Sequence, residues 1–315
     1  MVQINLPGTE KPEIDEVSAD SQRLPRTETN QEKSTDLRAK YLSPLDLQLR
    51  REHDPILEAL PGSAKPLYLR VRGEVRQGLV NGLAKTLRWQ NSPYQIDPDF
   101  RENDLEHVVA LLGWCNDIEK DYPALYQAIC GGDRENWHDF LTMLTLHDIG
   151  EIGVGDMVLP LLNTKQGLRH KKLEPRWAKY ALRQSLEAQE AKRLSSIYDR
   201  FEEPADDDTM ALAAKVLDRG QGSVNVALHL IPFNQDNPSY MRKAFIDDQT
   251  NTLRYAERLI GRLPSPESRN ELQSFLKEKV IDHFNASGVP EIAALQQLMR
   301  DTFPKVYKED WLKAE

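Results

Sequence analysis

Cysteine is almost absent: 315 residues hold two, Cys115 and Cys130, both in apolar, helical-looking segments. That excludes a disulfide framework and points to a reducing compartment. Basic charge is also short, with 41 Lys and Arg against 50 Asp and Glu and a formal net charge of −9. No polymeric nucleic-acid partner is expected from such a balance, although one nucleotide in an acidic, cation-loaded pocket is compatible with it. No apolar run approaches membrane-spanning length, and the opening stretch MVQINLPGTEKPEIDE has neither a basic n-region nor an apolar h-region. A soluble cytoplasmic protein without a membrane partner is therefore expected. Alternating strand patterns of useful length and internal repeats are missing too.

What is present is helical periodicity. A hydrophobic fraction of 39% is enough for a core. Residues 1–65 are polar and Pro-containing without a sustained apolar period, and are expected to be mostly disordered apart from a short helix at Pro44–Arg51. Folding is expected to begin near Pro66–Leu69. Beyond that point the apolar spacing predicts helices at 104–115, 137–148, 209–219, 238–262, 266–284 and 290–303, and one long charged helix from Glu174 to Phe201. In 104–115, His107, Ala110, Leu111 and Trp114 form one stripe and Leu105, Val108 and Leu112 the next, the pattern of a buried helix. The fold class is all-α.

Three places set ionisable groups on buried helical stripes, where they cost several kcal/mol unless paired or bound to a cation. They are His107, the doublet His147–Asp148 in LTLHDIGEIGVGD, and Asp218 at the end of MALAAKVLDRG. Two imidazoles and two carboxylates suit Mn, Fe, Co, Ni, Zn or Mg rather than a thiolate-selected ion. Adjacent helical residues diverge by about 100°, so His147 and Asp148 can converge only if the helix ends or distorts there, which Gly150 allows. The same dipeptide at His53–Asp54 and His138–Asp139 is read as incidental or capping, and His170, His229 and His283 as structural.

In this order His107, His147–Asp148 and Asp218 resemble the HD superfamily of metal-dependent phosphohydrolases, a helical-bundle family. The branch of 5′-deoxynucleotidases is the nearest in pattern. LRWQN at 87–91 is similar to its early Arg-Trp pair, ENDLEHV at 102–108 to its Glu-Asn-x-x-Glu-His segment, and HDIGEIGVGD at 147–156 to its doublet segment. EAQEAKRLSSIYDRFEE at 187–203 and AAKVLDR at 213–219 resemble the approach to its last ligand. The likeness spans roughly 85–225; DRGQG departs from the acidic and apolar continuation usual after the last Asp. It divides the chain into a tail (1–65), an HD domain (66–225) and a helical extension packed on it (226–315). It also implies that His107, His147, Asp148 and Asp218 hold one divalent cation. Glu151 would orient or deprotonate the attacking water, Arg88 bind the phosphate, Asp156 contact the sugar or leaving oxygen, and Trp89 shape the sugar pocket. The implied activity is removal of phosphate from a small nucleotide, a 5′-(deoxy)nucleoside monophosphate first. The rival is a catalytically weak HD protein that binds nucleotides or scaffolds partners. A homodimer is expected by analogy with related proteins and from the apolar faces of the last helices.

Overall fold

The computed structural model describes residues 77–89, 95–156 and 165–308. The expected tail, the helix at Pro44–Arg51, the doublet at 53–54 and the start near Pro66 lie outside the described residues, as does the side chain of His170. Within them the chain is all-α, and the nearest thing to a strand is an isolated bridge between Leu87 and Asn103. No described helix is long and apolar enough to cross a membrane.

Polar caps start the helices at Asp104, Thr209 and Pro266 where the sequence places them, whereas the helix expected from 137 begins at Arg134 and the one expected from Glu174 at Lys165. After α1 (Gln77–Leu83), α2 (Asp104–Asp121) opens on a capping box: Asn103 Oδ1 accepts from Glu106 N–H at 3.0 Å, and Glu106 Oε2 accepts from Asn103 N–H at 2.9 Å. Asn103 and Glu106 of the ENDLEH stretch thus set the helix start that puts His107 in its first turn. α3 (Pro123–Cys130) begins at a proline and ends at Gly131, whose φ of 66° is left-handed. α4 (Arg134–Leu146) carries the doublet at its end, and a one-turn α5 (Glu151–Val154) follows.

The expected long helix from Glu174 to Phe201 is two helices, α6 (Lys165–Ser185) and α7 (Ala188–Glu202). Leu186 is buried at the break and Glu187 takes extended torsions, which fold α7 back along α6. An apolar period carried across a two-residue turn reads as one helix. Lys179 and Asp199 pair across the hairpin at 2.6 Å.

At the centre stands α8 (Thr209–Asn225), capped by Asp208 and buried on nearly every side. α2, α3, α4 and α7 pack around it, and α9 (Pro238–Ile260) covers its remaining flank. The chain runs from α8 straight into a wide turn at Val226–Leu230, so the expected boundary at 225 falls inside a continuous helical run. α10 (Pro266–Leu276), a second wide turn at Lys277–Ile281, α11 (Asp282–Ala286) and α12 (Pro290–Thr302) complete the shell. Cys115 and Cys130 are buried free thiols.

Candidate metal centre

Four side chains from three elements converge. His107 comes from the first turn of α2, His147 and Asp148 from the end of α4, and Asp218 from α8; all four are buried. The doublet converges because the α4 ladder tightens there. Ile149 N–H bonds Leu146 O at 3.0 Å and Glu151 N–H bonds Asp148 O at 2.9 Å, both three residues back rather than four. Gly150 has ordinary helical torsions and is not a left-handed stop. Its glycine is needed for a different reason, since a Cβ there would stand 2.5 Å from Glu174 Cγ.

The two imidazoles turn their Nε2 atoms toward each other, 3.1 Å apart. Asp218 Oδ1 lies 3.3 Å from His107 Nε2 and 3.4 Å from His147 Nε2, and Asp148 Oδ2 lies 3.0 Å from His147 Nε2. Ligands bonded to one ion at about 2.0–2.1 Å stand roughly 3.0–3.4 Å apart at octahedral and tetrahedral angles. These four spacings fall in that range, while His107 Nε2 and Asp148 Oδ2 stand wider, at 3.8 Å. His107 Nδ1 is 2.5 Å from Gln221 Oε1 and His147 Nδ1 is 2.6 Å from Leu144 O. Both partners are acceptors, so each Nδ1 carries the proton and each Nε2 presents a lone pair in the neutral ring. The two Nε2 atoms and an Asp148 oxygen form a buried group that could hold a cation, and Asp218 lies beside both rings.

A proton competes with a cation for the His147 lone pair. Burial alone would discharge His147, but Asp148 and Asp218 outweigh it and raise its pKa to about 10. Burial likewise opposes ionisation of Asp148 and Asp218. The imidazoles, with Arg88 beside Asp148 and Arg219 beside Asp218, overcome it and hold both carboxyls below their usual range.

Around this centre lies a cleft of about 720 Å³, lined among others by Arg88, Glu151, Asp156, Lys215, Arg219 and Tyr255. Arg88 arrives on a segment zipped to the start of α2, where its N–H bonds Glu102 O at 3.0 Å. Its Nη1 donates to Asp148 Oδ2 at 2.8 Å. Glu151 is pushed well above the usual carboxylate range by burial, then by Asp148, Asp156 and Asp104. Asp156 Oδ2 accepts from the Trp89 backbone N–H at 2.5 Å. That bond holds Trp89 at φ 65°, a costly value for a non-glycine residue. The Trp89 ring packs against the core and is not among the cleft-lining side chains. The other doublet lies apart, Asp139 pairing with Arg193 at 2.8 Å, and His229 is bonded to Asp97 and stacked on Phe100.

Sequence reasoning passed over Gln221, Glu102, Asn225, Asp104 and Glu174. Gln221 sits inside the DRGQG departure, three residues beyond Asp218 on the same face of α8. Its Nε2 donates to Glu102 Oε1 at 2.9 Å, and Asn225 Nδ2 donates to Glu102 Oε2 at 2.6 Å. Glu102 thereby fixes the amide that fixes the His107 tautomer. The spacing Asp218, Gln221, Asn225 is a helical stripe of polar residues, a signal legible in principle. Compared with known proteins, the chain matches no family model, no curated protein and no solved structure.

Proposed function

We propose that the chain is an HD-type, metal-dependent phosphohydrolase that removes the phosphate of a small nucleotide, with 5′-(deoxy)nucleoside monophosphates the first substrate class. One observation carries the reading: two buried imidazoles with Nε2 lone pairs face each other between two carboxylates, beside a polar cleft. His107, His147, Asp148 and Asp218 would hold a divalent cation, which supplies charge to a phosphoryl oxygen and acidity to water when bound. The cleft volume suits a mononucleotide.

The chain's own residues supply the rest. Arg88, once released from Asp148, presents its fork to the phosphate. Glu151 lines the cleft three residues beyond Asp148 and takes a proton from the attacking water. The water oxygen forms the new P–O bond, the ester P–O bond breaks, and the nucleoside oxygen leaves with the proton that Glu151 returns. Asp156 faces the same cleft and, through Trp89 N–H, ties the Arg88 segment to it.

Glu151→Gln is the decisive variant. With the metal-loaded chain and a panel of nucleoside monophosphates, kcat is expected to drop about 10²–10⁴-fold, with KM and the metal at the histidine centre little changed. Turnover within a few-fold of the parent would remove Glu151 from its role. A parent chain that binds nucleotide yet releases no phosphate with any divalent metal would favour the binding-module reading.

A further inference from the structure

Next to the histidine centre lies a second group of donors built only of oxygen. One carboxylate oxygen each from Asp104, Asp148 and Glu151 lies within 4.8 Å of the others. Clustered acids alone mean little, because water and lysines usually screen them. Here Asp104 is 0% exposed, and among the described residues neither of its carboxylate oxygens has a hydrogen-bond partner. Glu151 Oε2 is buried and unpartnered as well. A buried acid with no donor costs several kcal/mol whether it is charged or neutral, so two such acids aimed at one point leave an interaction to be supplied.

The fold puts Asp104 there deliberately. It is the first residue of α2, fixed by the capping box and by its own N–H bond to Thr86 O at 3.0 Å, one turn before His107. A solvent-facing acid at that position would need no burial. In the likeness to Glu-Asn-x-x-Glu-His, Asp104 falls on an unspecified position, so the resemblance gives it no role. Arg88 is the cation nearest the cluster, and its Nη1 is committed to Asp148.

We infer that Asp104, Asp148 and Glu151 form a second cation site that shares Asp148 with the histidine centre. The inference rests on the reading of that first centre. An all-carboxylate set takes a hard ion, Mg²⁺ or Mn²⁺, whereas the imidazole-bearing neighbour suits a later transition metal or Mn²⁺. Each acid gives one oxygen, so Glu151 retains the other for water.

The test is Mn²⁺ loading of the full chain, read by elemental analysis and by electron paramagnetic resonance. The parent is expected to hold two Mn²⁺ per chain with an exchange-coupled spectrum. Asp104→Asn, nearly isosteric, should hold one and return an isolated six-line signal, with its thermal melt close to the parent's. Should Asp104→Asn misfold, the parent's stoichiometry and spectrum still decide. One uncoupled Mn²⁺ in the parent, unchanged in Asp104→Asn, would overturn the second site and leave the first intact. No bound Mn²⁺ together with no loss on His147→Ala for any other metal would overturn the first centre instead.

Discussion

A methyl group on Gly150 would meet Glu174 Cγ at 2.5 Å, Glu174 O at 2.9 Å and Tyr198 Oη at 3.1 Å. The backbone oxygen cannot swing aside, so Gly150→Ala must push the turn bearing Asp148 away from α6. We expect a cost of about 1–3 kcal/mol and weaker metal binding, measured by urea unfolding and metal titration. Gly113 is the control: it lies inside α2 with nothing within 4 Å of a Cβ. Gly113→Ala should stabilise by about 0.5–1 kcal/mol with metal affinity unchanged. A Gly150→Ala chain as stable as the parent would show that the turn has room. At this scale the grouping of His107, His147 and Asp148 was legible, because an ionisable group on an apolar stripe announces an unusual partner. Gln221, Glu102 and Asp104 were not, since polar residues at helix ends and on amphipathic faces are ordinary until the fold buries them. Gly150 was noticed for a stop it does not make; its real constraint comes from α6, a partner that local sequence does not contain.

The start of α8 joins a cap to an ion pair. Asp208 Oδ1 accepts from Ala211 N–H at 3.0 Å, while Arg200 at the end of α7 donates to both Asp208 oxygens, at 2.8 and 3.0 Å. Burial works against ionisation of Asp208, but Arg200 and the helix N–H groups outweigh it and hold the carboxyl below its usual value. A depressed folded-state pKa contributes stability above the unfolded value of about 4, and that contribution fades as pH falls through the folded value. Asp208→Ala is therefore expected to cost about 1–2 kcal/mol at pH 7, and Asp208→Asn, which keeps a cap, less. Urea unfolding at pH 7 and near pH 3 should show the parent's advantage over Asp208→Asn shrinking in acid; an advantage that grows there would refute the pairing. Caps such as Asp208, Asn103 and Ser265 are why helix starts could be read from sequence. The α6–α7 turn was missed because it lacks glycine, proline and a capping side chain, and only burial of Leu186 marks it.

The molecule as a whole is arranged so that α8, bearing Asp218 and Gln221, has no solvent flank of its own. Val226 onward does not hang from the site-bearing helices; it completes their core. Ser223 Oγ and Thr252 Oγ1 lie 2.9 Å apart across α8 and α9, and a Cβ on Gly220 would stand 3.2 Å from Val280 and 3.3 Å from Trp114. Phe245, Leu253, Phe275 and Phe284 are all buried in the same core. The period of the later helices announced apolar faces, but not which surface they cover, since that depends on contacts distant in sequence. If those faces only decorated a self-sufficient domain, a chain ending at residue 236 would keep a cooperative fold and its metal. Because they wall α8, we expect that truncation to lose cooperative unfolding and metal binding together, by circular dichroism melts and elemental analysis. Phe245→Ala supplies the graded case: the ring is fully buried against Phe284, centroids 5.0 Å apart, and its loss should cost about 3–5 kcal/mol. Metal stoichiometry in that variant should stay at the parent's value at low temperature, because no ligand is touched. A truncated chain that melts cooperatively with its metal in place would make the C-terminal helices an accessory, and the site independent of everything beyond residue 236.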